Sequence, residues 1–223
     1  YKIASFEMND YNLVKAAAKT KKPLILSTGL SNMDEIEHAV LIAKKNGCTD
    51  LTLLYCVSNY PSQSTDFNLN YIKEFKKKFG CRVGLSDHSL GSEVAKYSLI
   101  AGATVFEKHI ALQNQKKGLD LAFSLRGKEL KIYNETLRKT FQLINNKKFN
   151  RSKNELENKI FRRSVYAIKN IKKGDALSIK NIKTFRPEKG ISASYYLDMI
   201  NKKSPINIKK NYPLPKHILN KLL

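Results

Sequence analysis

Apolar and polar residues alternate in blocks along the first two thirds of the chain, and the blocks have two different periodicities. Short apolar runs rich in Val, Ile and Leu predict five β-strands at residues 1–5, 24–28, 51–57, 82–86 and 104–110. The segments between these runs carry apolar residues at helical spacing. Because strands alternate with helices through short connections, the pattern predicts an α/β fold with a parallel sheet, either doubly wound or part of an eight-stranded barrel.

The predicted helices have recognisable ends. Ser31, with Asp34 three residues later, predicts the N-terminal cap of the clearest helix. Gly80 and Gly102 predict the C-terminal ends of two later helices, because glycine readily adopts the left-handed conformation that ends a helix. A further helix is expected at residues 128–145.

The carboxyl ends of the predicted strands are unusually polar. In both candidate folds, function is located at these ends. The polar and charged residues there are Lys2, Ser5, Glu7, Ser27, Thr28, Ser58, Tyr60, Ser86, Asp87, His88, Glu107, Lys108 and His109. A buried strand does not require such residues, so we expect a functional site along this edge.

Two histidines occupy matching positions at the ends of consecutive strands. A single histidine is more often structural, but His88 and His109 are expected to lie side by side, with Asp87 and Glu107 next to them in sequence. Two imidazoles completed by water and carboxylate oxygens suit a divalent ion of the Mn²⁺ type better than a closed zinc site. No role is predicted for His38, on a helix, or for His217, near the C-terminus.

One cation and several hydroxyl groups accompany the histidines. Lys2 with the serines of the strand ends could bind a phosphate and a carboxylate together. The alternative is that the serines hydrogen-bond only to loop backbone. Glu7 is a candidate general acid or base, or a partner for a sugar hydroxyl.

The composition changes after the last predicted helix. Residues 146–160 are polar and predict a linker, and residues 161–223 predict a small β-rich module. The predicted division is therefore 1–145, 146–160 and 161–223. The small module is expected to contain strands near 163–168 and 182–186.

The net charge of +22 suggests nucleic acid as one possible partner. The excess of lysine extends over both parts of the chain without a nucleic-acid-binding motif, which favours a solvated surface that also attracts anionic substrates. Cys48, Cys56 and Cys81 form no C-x-x-C pair, which favours reduced thiols in a cytoplasmic protein. No apolar run has the roughly 18 residues that a membrane span needs.

Several motifs resemble the sialic acid synthase family. They are KIASFE at 2–7, LSTG at 26–29, YP at 60–61, GLSDH at 84–88 and FEKH at 106–109. In the last part of the chain, RS at 163–164, IKKG at 171–174 and RP at 186–187 resemble the family's C-terminal antifreeze-like (SAF) domain. The resemblance covers essentially the whole chain. It implies a partial (β/α)8 TIM barrel, containing strands four to eight, followed by a SAF domain.

The resemblance also implies roles for individual residues. His88 and His109 would bind a divalent metal, Mn²⁺, Mg²⁺ or Co²⁺, and would be catalytic together with Glu7. The residues that would hold phosphoenolpyruvate are Lys2, Ser5, Ser27, Ser58 and Ser86, Ser58 standing where some members have Asn. The residues that would face an amino sugar are Glu7, Tyr60, Asp120, Phe123 and Arg186, the last reaching into a partner subunit of a domain-swapped homodimer.

The expected reaction condenses phosphoenolpyruvate with the amino sugar. Residues 122–125 (AFSL) resemble the branch of the family whose product is pseudaminic acid, with neuraminate and legionaminate as the alternatives. Because the chain begins at Tyr1, the resemblance implies that strands one to three are missing and that residues 1–223 alone are inactive. The alternatives from other classes are an inactive gene fragment, a dimerising SAF module or a basic nucleic-acid-binding protein.

Overall fold

A computed structural model describes residues 1–145 and 149–223 of the chain. The chain forms two compact units, Tyr1–Lys147 and Lys148–Leu223. The predicted linker 146–160 includes residues 146–148, which lie outside the described ones. The division at residues 145 and 161 stays a prediction.

A five-stranded parallel sheet forms the centre of the first unit. Its strands are β1 (Lys2–Ile3), β2 (Leu24–Ser27), β3 (Leu51–Cys56), β4 (Arg82–Asp87) and β5 (Val105–Lys108). The spatial order follows the chain order, β1-β2-β3-β4-β5. A doubly wound sheet reverses direction at a switch point, whereas a (β/α)8 barrel adds each strand beside the previous one. The sheet is therefore half of a barrel, as the resemblance implied.

Helices connect successive strands on the outside of the sheet. They are α1 (Tyr11–Lys19), α2 (Met33–Lys45), α3 (Asn70–Phe79), α4 (Glu93–Ala101) and, after β5, α5 (Lys128–Ile144). Neighbouring helices pack on each other, α1 on α2, α3 on α4 and α4 on α5.

The helix ends agree with the sequence prediction in one respect and differ in another. Gly80 and Gly102 both have the positive φ expected at the ends of α3 and α4. The predicted cap of α2 was wrong by one position. Asn32 caps the helix and forms a capping box with Glu35.

The two faces of the sheet have different environments. The outward residues of each strand, such as Leu24 and Leu26 of β2 and Val83 and Leu85 of β4, belong to the buried core shared with the helices. The alternate residues, such as Ser27 and Ser86, point to the opposite face, which is the interior of the barrel. The polar residues of the strand ends therefore divide between an inner and an outer face.

Gly84 allows β4 and β5 to approach closely. A Cβ atom added at residue 84 lies 2.1 Å from the carbonyl oxygen of Val105 and 2.7 Å from Cδ2 of Leu54. Because a backbone carbonyl cannot move aside as a side chain can, only glycine fits this position.

A second, smaller sheet follows β5 and was not predicted. β6 (Ile110–Ala111) and β7 (Leu125–Arg126) form a parallel pair that brings residues 110–126 back to the end of β5. Two-residue strands contain too few positions to show a period of two, so the sequence pattern gives no signal for them.

The second unit has its own buried core. Its elements are α6 (Lys153–Glu157), β8 (Ser164–Ala167), β9 (Ile182–Phe185), α7 (Tyr196–Met199) and α8 (Leu219–Leu222). β8 and β9 pair antiparallel. The core includes Val165, Leu177, Ile182, Met199 and Leu214. The segment predicted as a linker contains α6, which Ser152 caps. Within the described residues, no helix has the length and apolar character that a membrane span needs.

Candidate active site

Residues at or beyond the carboxyl ends of the strands line one cavity of the first unit. The residues that line it are Lys2, Ala4, Ser5, Phe6, Ser27, Tyr60, Ser86, His88, Glu107, Lys108, His109 and Asp120. Eight of the predicted site residues are among them. The strand register explains this grouping, because Cys56 pairs with Ser86 and Ser86 pairs with Glu107 across β3, β4 and β5.

His88 and His109 face each other inside this cavity. Their ring centroids are 5.3 Å apart. Nδ1 of His88 lies 3.0 Å from the carbonyl oxygen of Val57, and Nδ1 of His109 lies 3.3 Å from Oδ2 of Asp120. Because each ring uses Nδ1 for a contact with the protein, its Nε2 is the nitrogen available as a metal ligand.

This arrangement fits an open metal site. Within residues 1–145 and 149–223, no three His, Cys, Asp or Glu side chains converge to form a complete ligand set. The two imidazoles therefore fit a divalent ion whose remaining positions are taken by water or substrate oxygens.

Neither of the carboxylates that lie within two residues of the histidines in sequence joins them. Asp87 and Lys108 lie on the outer face of the strands, where they form an ion pair of 3.5 Å. Glu107 lies on the inner face but is held by other residues. Asp87 is separated from the neighbouring His88 because successive residues of a strand point to opposite faces.

Glu107 connects two candidate phosphoenolpyruvate ligands. Ser86 donates a hydrogen bond of 2.8 Å to Oε1 of Glu107, and Nζ of Lys2 lies 3.3 Å from Oε2. The carboxylate thus holds the cation and the hydroxyl beside each other at one side of the cavity.

Ser27 has a buried hydroxyl group with no hydrogen-bond partner among the described residues. Buried polar groups are nearly always paired, so this hydroxyl, which lines the cavity, is available to pair with a ligand or a water there. Ser27 is therefore the predicted site serine whose hydroxyl is available for a further hydrogen bond.

The hydroxyls of Ser5 and Ser58 both lie close to Gly29. The backbone N–H of Gly29 donates a hydrogen bond of 3.2 Å to Oγ of Ser5. A Cβ atom added at residue 29 would lie 2.1 Å from Oγ of Ser58 and 2.7 Å from Oγ of Ser5. Glycine at this position therefore allows the two hydroxyls to approach, although Ser58 does not itself line the cavity.

Cys56 lies beneath the site and was not predicted from the sequence. Ser5 donates a hydrogen bond of 3.3 Å to its Sγ atom, which is also 3.9 Å from Nδ1 of His88 and 3.9 Å from Oγ of Ser58. Burial raises the pKa of the Cys56 thiol, but the contacts with His88 and Ser5 outweigh burial and lower that pKa below its ordinary value. Because the cysteine ends an otherwise apolar strand, its sequence context resembles that of a core residue.

Two aromatic side chains pack beside the histidines. The ring of Tyr60 lies 4.3 Å from that of His88 and 5.4 Å from that of Phe123. Phe123 also packs 4.9 Å from His109, measured between centroids. Asp120 and Phe123 both belong to the segment that β6 and β7 return to the site.

Two predicted site residues lie elsewhere. Glu7 is exposed in the 3₁₀ helix Ser5–Glu7 and does not line the cavity. Arg186 lies in the second unit, where it lines a shallow pocket together with Arg162 and Arg163. The sequence-predicted roles of these two residues stay predictions.

Comparisons with known proteins agree with this geometry. Residues 1–149 match the NeuB family, and residues 162–219 match the SAF domain. The chain is 40% identical over 209 residues to a pseudaminic acid synthase of Campylobacter jejuni, a match that covers 94% of this chain and 61% of the relative. It is 36% identical over 214 residues to an N,N'-diacetyllegionaminic acid synthase of the same species, covering 95% of this chain and 64% of the relative.

A solved structure of a putative spore coat polysaccharide biosynthesis protein E from Chromobacterium violaceum is also similar. It matches with a TM-score of 0.78 at 26% identity, covering 96% of this chain and 65% of the other. The chain thus spans less than two thirds of the length of these three proteins. On the family match and the half-barrel fold together, the chain belongs to the NeuB family and carries a SAF domain at its C-terminal end.

Proposed function

We propose that the whole protein is a transferase that condenses phosphoenolpyruvate with a 2,4-diacetamido-2,4,6-trideoxy hexose. The product is a nine-carbon nonulosonic acid, pseudaminic acid, and phosphate is released. The observation that carries the proposal is the pair of imidazoles 5.3 Å apart beside the Lys2–Glu107–Ser86 cluster. This arrangement supports the proposal of a metal site next to a site for an anion.

In the proposed reaction, C3 of phosphoenolpyruvate attacks the aldehyde carbon of the open-chain sugar. Water then adds at C2 of the former phosphoenolpyruvate, and the bond between C2 and the phosphate oxygen breaks. His88 and His109 would hold a divalent ion, which when bound would supply Lewis acidity toward the aldehyde oxygen. The protein residues bind the two substrates in the orientation that brings C3 to the aldehyde carbon.

The phosphoenolpyruvate is bound by the cation and hydroxyls of the strand ends. Lys2 neutralises one of its anionic groups, and the hydroxyls of Ser5, Ser27 and Ser86 donate hydrogen bonds to its oxygens. The hydroxyl of Ser58, which lies close to Gly29, also belongs to this group of phosphoenolpyruvate ligands. The buried, unpaired hydroxyl of Ser27 supports this assignment most strongly.

The sugar is bound on the opposite side of the histidines. Tyr60, Asp120 and Phe123 form that side, and their contacts with the two imidazoles support the assignment. Glu7 contacts a hydroxyl of the sugar or transfers a proton. In a domain-swapped homodimer, Arg186 of the partner subunit completes the sugar site.

The choice of pseudaminic acid depends on the segment 122–125 and on the two identities. The identity to the pseudaminic acid synthase is 40%, and that to the legionaminic acid synthase is 36%. Phe123 of this segment touches both His109 and Tyr60, so the segment lies where it can select the sugar. We further propose a cytoplasmic location, because Cys48, Cys56 and Cys81 are free thiols.

The experiment that tests the proposal is an assay of phosphate release by the whole protein with Mn²⁺ and phosphoenolpyruvate. The three sugars to compare are the precursors of pseudaminic, legionaminic and neuraminic acids. We expect the highest kcat/KM with the pseudaminic acid precursor and no release without metal. A higher kcat/KM with another precursor would overturn the sugar assignment, and release that persists after metal chelation would overturn the metal-dependent reaction.

A further inference from the structure

A buried polar network lies directly behind the two histidines, on the outer face of the strands. Its centre is Asp87, which is completely buried. Oδ1 of Asp87 accepts hydrogen bonds from the backbone N–H of Ser89 at 2.9 Å and from its hydroxyl at 2.6 Å. Oδ2 accepts a hydrogen bond of 3.1 Å from the hydroxyl of Tyr133 and lies 3.5 Å from Nζ of Lys108.

Three separate elements meet in this network. Asp87 is the last residue of β4, Lys108 is the last residue of β5, and Tyr133 lies on α5. Lys108 also donates a hydrogen bond to the carbonyl oxygen of Ser89. Both charged side chains and the tyrosine are almost entirely removed from solvent.

The pKa shifts of the tyrosine and the lysine are consistent with their hydrogen-bonding roles in this network. Burial raises the pKa of the Tyr133 hydroxyl, and the nearby charge of Asp87 raises it further, so Tyr133 remains a hydrogen-bond donor. Burial lowers the pKa of Lys108, and Asp87 opposes that effect. Each oxygen of Asp87 has two partners.

Net stability alone does not explain such a network. Replacing a buried ion pair by apolar residues is often neutral or stabilising, because two charges must lose their hydration. What the network does provide is a fixed position for each of its members. That position matters here because Asp87 directly precedes His88 and Lys108 directly precedes His109.

We propose that Asp87, Lys108 and Tyr133 form a buried clamp that sets the spacing of His88 and His109 and thereby the affinity of the site for a divalent cation. Asp87 and Lys108 are partners in the register of β4 and β5, so their ion pair fixes the two strand ends at the level of the histidines. Tyr133 ties that pair to α5. All three are positioning residues, since their polar groups pair with one another and with Ser89. The inference rests on the proposed metal site.

The test is the dissociation constant of Mn²⁺, measured on the whole protein from the electron paramagnetic resonance signal of the free ion. The main variant is Tyr133→Phe, which removes one hydroxyl and keeps the ring. The matched control is Tyr97→Phe, because Tyr97 lies on α4 and is 48% exposed. His88→Ala serves as the variant that lacks a metal ligand.

We expect Tyr133→Phe to weaken Mn²⁺ binding by about tenfold, the lower end of the range for outer residues of metal sites. Tyr97→Phe is expected to bind Mn²⁺ as the unaltered protein does. In phosphate release, Tyr133→Phe is expected to need about tenfold more Mn²⁺ for half-maximal activity and to recover its kcat at saturating Mn²⁺. A merely structural role would lower the thermal midpoint and would not produce this separation.

The outcomes distinguish the clamp from the metal site itself. If Tyr133→Phe binds Mn²⁺ as tightly as Tyr97→Phe while His88→Ala does not, the clamp is refuted and the proposed site stands. If His88→Ala binds Mn²⁺ normally, the metal site is refuted and the clamp with it. If Tyr133→Phe does not fold, Ser89→Ala decides the question by the same criterion, because it removes the 2.6 Å hydrogen bond to Asp87.

Discussion

The two faces of the same strand ends are built differently. On the inner face, Ser27 has an unpaired buried hydroxyl, and Lys2 is partly exposed beside Glu107. On the outer face, Asp87 has hydrogen-bonding or ionic partners at both oxygens and no exposure to solvent. A strand thus presents alternate residues to a binding site and to a supporting layer.

The difference indicates which residues are available to a substrate. A fully paired buried group has no capacity left for a ligand, whereas an unpaired group at a cavity wall does. Inner-face variants should therefore change binding and catalysis, and outer-face variants should change how well the inner face is positioned.

The largest effect is expected for the metal ligands. His88→Ala or His109→Ala should lower kcat/KM for phosphate release by about a thousandfold, about 4 kcal/mol, because each removes one of only two protein ligands. His217→Ala, an exposed histidine of the second unit, is the control. Activity within tenfold of the unaltered protein in either variant would contradict the metal assignment.

Alanine substitutions at Gly84 and Gly29 compare a clash with the backbone of the sheet with a clash with the serine hydroxyls of the site. Gly84→Ala should lower the free energy of unfolding by about 3 kcal/mol, because its Cβ meets the backbone of Val105. Gly29→Ala should lower it by only about 1 kcal/mol, since the serine hydroxyls can rotate away, but should raise KM for phosphoenolpyruvate. Urea unfolding measures the first quantity and steady-state kinetics the second. Equal decreases in the free energy of unfolding for Gly84→Ala and Gly29→Ala would contradict this difference between the two glycines.

Lys2 tests the anion site. Lys2→Ala should raise KM for phosphoenolpyruvate by about thirtyfold, about 2 kcal/mol, because it removes a charged partner, and should leave KM for the sugar nearly unchanged. Lys22→Ala, an exposed lysine outside the cavity, is the control for loss of net charge. Equal increases in both KM values would place Lys2 outside the phosphoenolpyruvate site.

The smallest effect is expected for two buried serines, Ser27 and Ser98. The hydroxyl groups of both lack a hydrogen-bond partner among the described residues. Replacing either with alanine should raise the free energy of unfolding by up to about 1 kcal/mol, because an unpaired hydroxyl is removed. Only Ser27→Ala should also raise KM for phosphoenolpyruvate, by about tenfold, since Ser98 lies on α4. An unchanged KM in Ser27→Ala would mean that its hydroxyl does not bind this substrate.

Local sequence patterns were sufficient for the sheet and for the histidine pair. The five strands each carry an apolar run, and His88 and His109 follow two of them at matching positions. The predicted cap of α2 was wrong by one position, because Asn32 with Glu35 has the same spacing of a capping residue and an acidic residue as Ser31 with Asp34. The structure selects the second pair.

The supporting layer could not be predicted in the same way. The bond between Asp87 and Tyr133 joins residues 46 positions apart, and no local pattern connects them. Side chains alternate between the two faces of β4, so a shift of one residue in the alternation would place Asp87 on the opposite face. Cys56 illustrates the same limit, since an apolar strand end gives no sign of the hydroxyl and imidazole that surround its thiol.

The most direct measurement is pulsed electron paramagnetic resonance of the Mn²⁺-loaded whole protein, which detects nitrogen atoms bound to the ion. The proposed site predicts couplings to two histidine nitrogens, reduced to one in His88→Ala and to one in His109→Ala. A spectrum without nitrogen couplings, or one that neither substitution changes, would contradict a metal held between the ends of β4 and β5.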